Sequence, residues 1–293
     1  MCEWESLSLP MAGMAQSQKN MSRMLAAFDA AAVDFSRLSP HLWDRVAHGT
    51  VEVSRPQLGE WVLDACCGDG ASAIPAARLV GPSGRVDAVD LSSPLVDAVT
   101  RSGAELSQLS AHHADVTAWT GLHNRIDGED GGRPYDLVQS VLGIFFFPDM
   151  AAGTEHLISL LRPGGRVALT IWRRGSMAEV GNRLAAAAAQ VRGEPAPGHR
   201  EPHLVERIGN VRAYDLWLGQ RGLRDTRVVK HDLAVSLTAE IAWLLVIGSG
   251  FRSTLQGLVE AQVAAVRDEY LGALDRDGIT EVDATTLVGT GLR

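Results

Sequence analysis

Lysine is nearly missing from this chain of 293 residues. Of its 27 basic residues only Lys19 and Lys230 are lysines. The Tyr-x-x-x-Lys acid/base pair of one large class of nicotinamide oxidoreductases is therefore absent. Cysteine is scarce as well, at Cys2, Cys66 and Cys67. Adjacent Cys66 and Cys67 do not readily pair with each other, and no zinc spacing exists. A cytoplasmic location is the expectation. Clustered positive charge is lacking, and 35 acidic residues outnumber the basic ones to a net charge of −8. That disfavours a nucleic-acid partner, which needs a basic patch. No apolar run reaches membrane-spanning length. Nor does a charged region followed by an apolar core open the chain, so neither a membrane span nor a signal peptide is expected.

What is present centres on residues 60–72, Glu-Trp-Val-Leu-Asp-Ala-Cys-Cys-Gly-Asp-Gly-Ala-Ser. Residues 61–65 are a short apolar run, as in a buried parallel strand. Gly68 and Gly70 make a tight turn, and a helix begins soon after. Glycines let a ligand approach the backbone, and a helix start offers free N–H groups. The spacing Gly68-x-Gly70-x-x-Ala73, with Asp90 further on, also fits the dinucleotide fingerprint. Asp64 at the strand end opposes that fit. Its carboxylate repels a pyrophosphate and favours a ligand bearing an amino group and a sulfonium.

An apolar share of 46% suits one large domain, or one domain with a cap. Residues 1–20 are rich in Met, Ser and Gln without period and are expected to be disordered. Residues 22–33 read as a helix from their alanine content, broken at 34–38. Ser39-Pro40 then starts a second helix that runs to about Val53. Five strand-like segments follow. The second ends at Asp90, the third covers 110–115, the fourth begins Tyr135-Asp-Leu-Val and the fifth covers 167–172. Residues 119–134 and 193–203 read as loops. A helix over 204–221 leads to a sixth strand at 226–235. Residues 238–276 read as two helices hinged at Gly248-Ser-Gly250, and a last strand spans 278–288.

Three of these segments carry a resemblance. Val-Leu-Asp-Ala-Cys-Cys-Gly-Asp-Gly, Tyr-Asp-Leu-Val and Leu161-Arg-Pro-Gly-Gly-Arg166 resemble, in the correct order, motifs of class I S-adenosylmethionine (SAM)-dependent methyltransferases. The resemblance is strongest over residues 60–172, and the overall pattern is similar to bacterial small-molecule enzymes of the quinone-biosynthesis branch, including those of secondary metabolism. It implies an α/β, Rossmann-like fold: a seven-stranded, mostly parallel sheet with an antiparallel last strand. The expected organisation is a helical cover (21–56), a SAM-binding core (57–236), a helical insertion capping the acceptor (237–277) and the last strand (278–293). The cofactor would be SAM, leaving as S-adenosylhomocysteine (SAH). Its implied contacts are Asp64, Cys66, Gly68, Gly70, Asp90, Leu91, Asp115, Val116 and Ser140. Asp90 would accept the ribose hydroxyls, Asp115 the adenine amine, and Val116 would lie against the ring. Ser140 would sit near the methyl group, at the carboxyl end of a strand where ligands bind.

The acceptor would be a small, mostly apolar, aromatic or heterocyclic molecule such as an indole or phenol, with a quinone precursor as the alternative. Phe35, Trp43, Phe145, Phe146, Trp243, Phe251 and Arg252 are the candidates to line its pocket. Phe35, Trp43 and Trp243 serve equally well as ordinary core. His199, His203, Tyr214 and Asp215 are the candidates for a base, though each also reads as structural. No carboxylate and amide cluster follows strand four, so no metal is expected. Partners are limited to the small acceptor and at most a second copy in a homodimer. A non-catalytic SAM-binding protein and a nicotinamide-dependent oxidoreductase are the rival classes.

Overall fold

A computed structural model describes residues 11–121, 133–195 and 204–293, with side chains from Met21 onward. Two helices, α1 (Met11–Leu38) and α2 (Trp43–Ser54), precede the sheet. The expectation of disorder over residues 1–20 is corrected for 11–20, since α1 begins at Met11, and residues 1–10 lie outside the described residues. α1 also continues through residues 34–38, where a break was expected. Burial explains the continuation: Ala31 and Leu38 are fully enclosed, and Arg252 of the insertion donates to Asp34 Oδ2 at 3.3 Å.

The sheet then builds in strand–helix order. β1 (Trp61–Ala65), α3 (Ala73–Val80), β2 (Arg85–Asp90), α4 (Ser93–Ser102) and β3 (Leu109–His113) form one half. β4 (Tyr135–Val141), α5 (Met150–Ser159) and β5 (Leu161–Trp172) form the start of the other. The chain next forms α6 (Ala178–Arg192), α7 (Leu204–Ile208), α8 (Val211–Gly219) and β6 (Arg224–His231). It closes with β7 (Ala234–Ser236), α9 (Ala239–Ile247), α10 (Glu260–Arg276), β8 (Glu281–Asp283) and β9 (Thr286–Leu292).

Seven strands order as β3-β2-β1-β4-β5-β9-β6. β1 to β5 are parallel, and β9 runs antiparallel between β5 and β6. Helices on both faces bury the central strands, so Val62, Leu63, Leu137 and Val138 are fully enclosed. β1 turns to β2 on one side and pairs β4 on the other. That reversal opens a crevice at the carboxyl ends of β1 and β4. Arg166 locks the opposite end: its guanidinium meets both Glu60 carboxylate oxygens at 2.6 Å and donates to the carbonyls of Ser54 and Arg55.

The expected sixth and last strands each divide in two. β6 ends at His231, and residues 234–236 leave the sheet to pair with 281–283 in a small antiparallel ribbon. Ala284 N–H donates to Leu233 O, and Thr285 N–H donates to Asp283 Oδ1, which makes the corner before β9. The ribbon is the stem of the insertion. Above it α10 packs on α6, while α9 and the 3-10 turn Gly250–Leu255 pack against α1. The expected helix over 204–221 breaks at Gly209, where Asn210 caps α8 by accepting from Ala213 N–H. The expected loops fall partly on 122–132 and 196–203, which lie outside the described residues.

Candidate functional site: a cavity over the glycine turn

One cavity of about 1040 Å³ opens at the carboxyl ends of the strands. Its floor is the turn after β1. Cys66, Gly68 and Gly70 all have positive φ, at 59°, 56° and 95°. For Cys66 this is an uncommon conformation, and Leu142 and Met177, also on the lining, share it. Such strain gathers where the surroundings dictate backbone placement. A Cβ on Gly143 would come within 2.5 Å of Cys66 Cβ and 2.6 Å of Ser140 Oγ, so the glycine there is what makes room for Cys66.

Asp90 ends β2 beside this turn. Its Oδ2 accepts from Gly68 N–H and its Oδ1 from Ser92 N–H, each at 2.9 Å. These bonds aim the carboxylate while each oxygen keeps a lone pair for a ligand. Asp115 accepts at Oδ1 from both the N–H and the hydroxyl of Thr117. Among the described residues its Oδ2 has no partner. Val116, next along, is buried, and with Asp90, Leu91 and Asp115 it lines the cavity.

The field here is negative. Burial, with the charges of Asp90, Asp64 and Asp115 added, pushes the Cys66 thiol well above its usual range. Burial likewise raises the Asp90 carboxyl and carries Asp64 from 3.8 to about 6, against the hydrogen bond that Asp64 Oδ2 accepts from Gln139 at 2.7 Å. Among the described residues, buried polar atoms without a partner include Trp43 Nε1, Asp64 Oδ1, Asp69 Oδ1 and Ser140 Oγ. All four belong to the turn or to residues flanking it. A group that brings a cation and several hydrogen-bonding atoms is what this end of the cavity fits.

The outer part is aromatic and aliphatic. Phe28 packs edge-on against both Phe35 (6.2 Å) and Phe146 (5.4 Å), and Phe35 stacks on Trp43 at 4.9 Å. Phe145, Trp172, Leu245 and Phe251 complete the wall. Its polar members are Arg173, Arg174, Ser176, Asn182, Glu206 and Thr254. Arg174 is held by the carbonyls of Glu206 and Arg207.

The structure brings most of the expected residues together and leaves some apart. Phe35, Trp43, Cys66, Gly68, Asp90, Leu91, Asp115, Val116, Phe145, Phe146 and Phe251 share the lining. Asp64 and Ser140 are fully buried just off it. Gly70 faces Ile74 and Val99 rather than the cavity. Trp243 is half-buried, packs against the core shared by α6, α9 and α10, and does not line the cavity. Arg252 donates to Asp34 and to Ile247 O, tying α1 to the insertion. Tyr214 is fully buried on α8 and donates to Leu169 O at 3.0 Å, and burial raises its hydroxyl further still. Neither it nor Asp215 lines the cavity. His199 and His203 lie outside the described residues. The sequence reading missed Met21, Met24, Leu25 and Phe28 of α1, and it missed Asp69. The α1 residues carry a helical spacing, but Asp69 stood in plain view between the two glycines.

This sheet order, the glycine turn and its carboxylates define a class I methyltransferase fold. Residues 62–165 match a family model described as Methyltransferase domain. The aklanonic acid methyltransferase DauC of Streptomyces sp. is 26% identical over 212 residues, 69% of this chain and 88% of that protein. Nocamycin O-methyltransferase of Saccharothrix syringae is 33% identical over 50% of this chain and 48% of its own length. Demethylmenaquinone methyltransferase of Staphylococcus aureus is 28% identical over 37% of this chain and 42% of that protein. The YcgJ protein of Bacillus subtilis shares the fold, with a TM-score of 0.52 at 12% identity over 85% of this chain and 97% of that one. Residues 62–165 form a methyltransferase domain, and the chain is a SAM-dependent methyltransferase. Among the described residues no helix is long and apolar enough to cross a membrane.

Proposed function

We propose that this enzyme methylates a small, mostly apolar, ring-bearing acceptor bound in the outer part of the cavity. One observation carries the reading. The space that touches Asp90 and Asp115 continues without a break along Phe28, Phe145, Phe146, Trp172 and Phe251. At about 1040 Å³ it stands at the top of the roughly 300–1,000 Å³ range of small-molecule sites, enough for a cofactor and an acceptor together. Aromatic walls of this kind stack flat rings and exclude water.

In this reading Asp90 holds the ribose hydroxyls, Asp115 Oδ2 accepts from the adenine amine, and Val116 lies against the ring. SAM supplies a methyl group already activated on a sulfonium. The protein's task is then alignment of the acceptor atom in line with that bond. The aromatic wall fixes the ring plane, and Asn182, Glu206 and Arg174 at the rim set its orientation. Among the described residues no histidine lines the cavity. No group of three metal-ligating side chains occurs among them either. Transfer is therefore proposed to need no divalent metal.

The names of the two relatives at the head of the comparison, an aklanonic acid methyltransferase and a nocamycin O-methyltransferase, agree with a small-molecule acceptor. The quinone-related relative keeps a quinone precursor as the second reading. The test is labelled SAM offered with aromatic acids, phenols, indoles, quinone precursors, peptides and tRNA, with and without EDTA. Label on an aromatic metabolite, insensitive to EDTA, is expected. Label on tRNA or peptide alone would overturn the acceptor class, and loss of transfer with EDTA, restored by Mg²⁺, would overturn the metal-free step.

A further inference from the structure

Gly181 and Phe251 meet in the outer part of the cavity, and both line it. Gly181 lies inside α6, where glycine weakens a helix relative to alanine. Local preference therefore does not account for it, but its surroundings do. A Cβ there would stand 3.1 Å from Phe251 Cε1 and 3.3 Å from Cζ, closer than ordinary contact. The missing side chain is the hollow that receives the edge of the Phe251 ring.

Neither backbone is free to retreat. The far face of α6 buries Val180, Leu184 and Ala188 in a core shared with Val266 and Tyr270 of α10. Arg183 Nε of α6 donates to Asp277 Oδ2 at 2.8 Å, just past α10. Phe251 sits in the 3-10 turn Gly250–Leu255, which is tied down on both flanks. Its N–H donates to Ser249 Oγ at 3.2 Å, and Ser249 Oγ donates to Leu245 O at 2.6 Å. On the other flank Arg192 of α6 donates to Thr254 O at 2.7 Å. With both backbones held, only the Phe251 ring can answer bulk at position 181, and its open side is the cavity. Aromatic surface continues from there. A Cβ on Gly250 would lie 3.6 Å from Phe28 Cζ. Phe28 meets Phe146 at 5.4 Å, and Phe146 meets Phe145 at 4.7 Å. A single six-membered ring covers one of these side chains, whereas a fused ring system spans several.

We propose that Gly181 and Phe251 together set the size of the acceptor, admitting a flat molecule of two or more fused rings. The assignment rests on the acceptor reading above. Phe251 touches the acceptor directly. Gly181 is a positioning residue, because it acts by letting the Phe251 ring stand back from the cavity. Any side chain at 181 drives that ring inward and shortens the space for fused rings, while the end that holds the cofactor is untouched.

The experiment is calorimetric binding of phenol, 2-naphthol and 2-anthrol, a series of growing ring number, to the SAH complex. The proteins are wild type, Gly181→Ala, Gly181→Leu and the double variant Gly181→Leu/Phe251→Ala. Alanine and leucine are good helix formers, and an unchanged SAH affinity shows that each variant keeps its fold. Wild type is expected to bind 2-anthrol tightest. Gly181→Ala should weaken 2-anthrol, and Gly181→Leu should weaken it by about tenfold or more, the scale on which an apolar pocket discriminates. Phenol should change little. The double variant moves bulk from one wall to the other and should recover 2-anthrol. Equal weakening of all three probes, no weakening of 2-anthrol, or a wild type that prefers phenol would overturn the size limit. A double variant no better than Gly181→Leu would take Phe251 out of it. A wild type that bound SAH but none of the probes would instead overturn the aromatic-acceptor reading beneath it.

Discussion

Burial makes ionisation of Asp64 costly, and Asp64→Asn should show this in two opposite ways. The side chain is fully buried. Burial lifts its pKa from 3.8 to about 6, although Gln139 Nε2 donates to Oδ2. Between those values the folded state holds a proton that the unfolded state has released. Its contribution to stability is therefore complete below about pH 4 and is lost as pH rises through about 6. The displacement corresponds to on the order of 3 kcal/mol, at about 1.4 kcal/mol per pKa unit. Asn removes the ionisation and keeps an oxygen for Gln139, but leaves an unpaired amide N–H worth about 1–3 kcal/mol against it. Apo Asp64→Asn should thus be as stable as wild type or more so by up to roughly 2 kcal/mol at pH 8. It should also have a flatter stability profile between about pH 4 and 7. Guanidinium unfolding across that range measures both. The function should suffer in return, as is usual where a site holds unfavourable charge. Cationic SAM should weaken more than uncharged-sulfur SAH if, as proposed, the sulfonium binds near the Asp64 carboxylate. A variant less stable than wild type at pH 8, with the slope unchanged, would refute the reasoning.

Other expectations concern single contacts. Asp90→Ala should weaken SAH by about 1.5–3 kcal/mol, read by calorimetry, as for loss of hydrogen bonds to a charged group. Asp115→Ala should weaken SAM but weaken its inosine analogue much less, and equal losses would take Asp115 away from the adenine. Gly143→Ala should cost about 1–3 kcal/mol by overpacking, because its Cβ would sit 2.5 Å from Cys66 Cβ. Adding Cys66→Gly should recover part of that loss, and strict additivity in the double variant would deny the contact. Tyr214→Phe should lose about 0.5–1.5 kcal/mol of stability with its bond to Leu169 O. Its methyl transfer should be unchanged, and a collapse of kcat with normal stability would restore Tyr214 as a base.

What could be read from the chain alone was whatever its local pattern controls. The apolar run 61–65, the glycines at 68 and 70 and the acidic end of the second strand each depend on neighbours within a few residues. Those signals sufficed for the doubly wound sheet and for Asp90, Asp115 and Val116 on one lining. Tertiary packing decided the rest. Helix α1 runs through Phe35 to Leu38 because the insertion, more than two hundred residues later, buries it and pairs Arg252 with Asp34. Ser39-Pro40 is a sound helix start by itself, yet α2 waits until Trp43 because Ser39 turns to Asp69. Tyr214, Trp243 and Phe251 look alike in sequence, but packing encloses Tyr214 fully and leaves Trp243 half-buried off the lining, while Phe251 reaches the cavity. The division is physical. Strand, turn and cap preferences act over a few residues. Which face of a helix meets a ligand is set by contacts between segments far apart in the chain, and no local pattern encodes them.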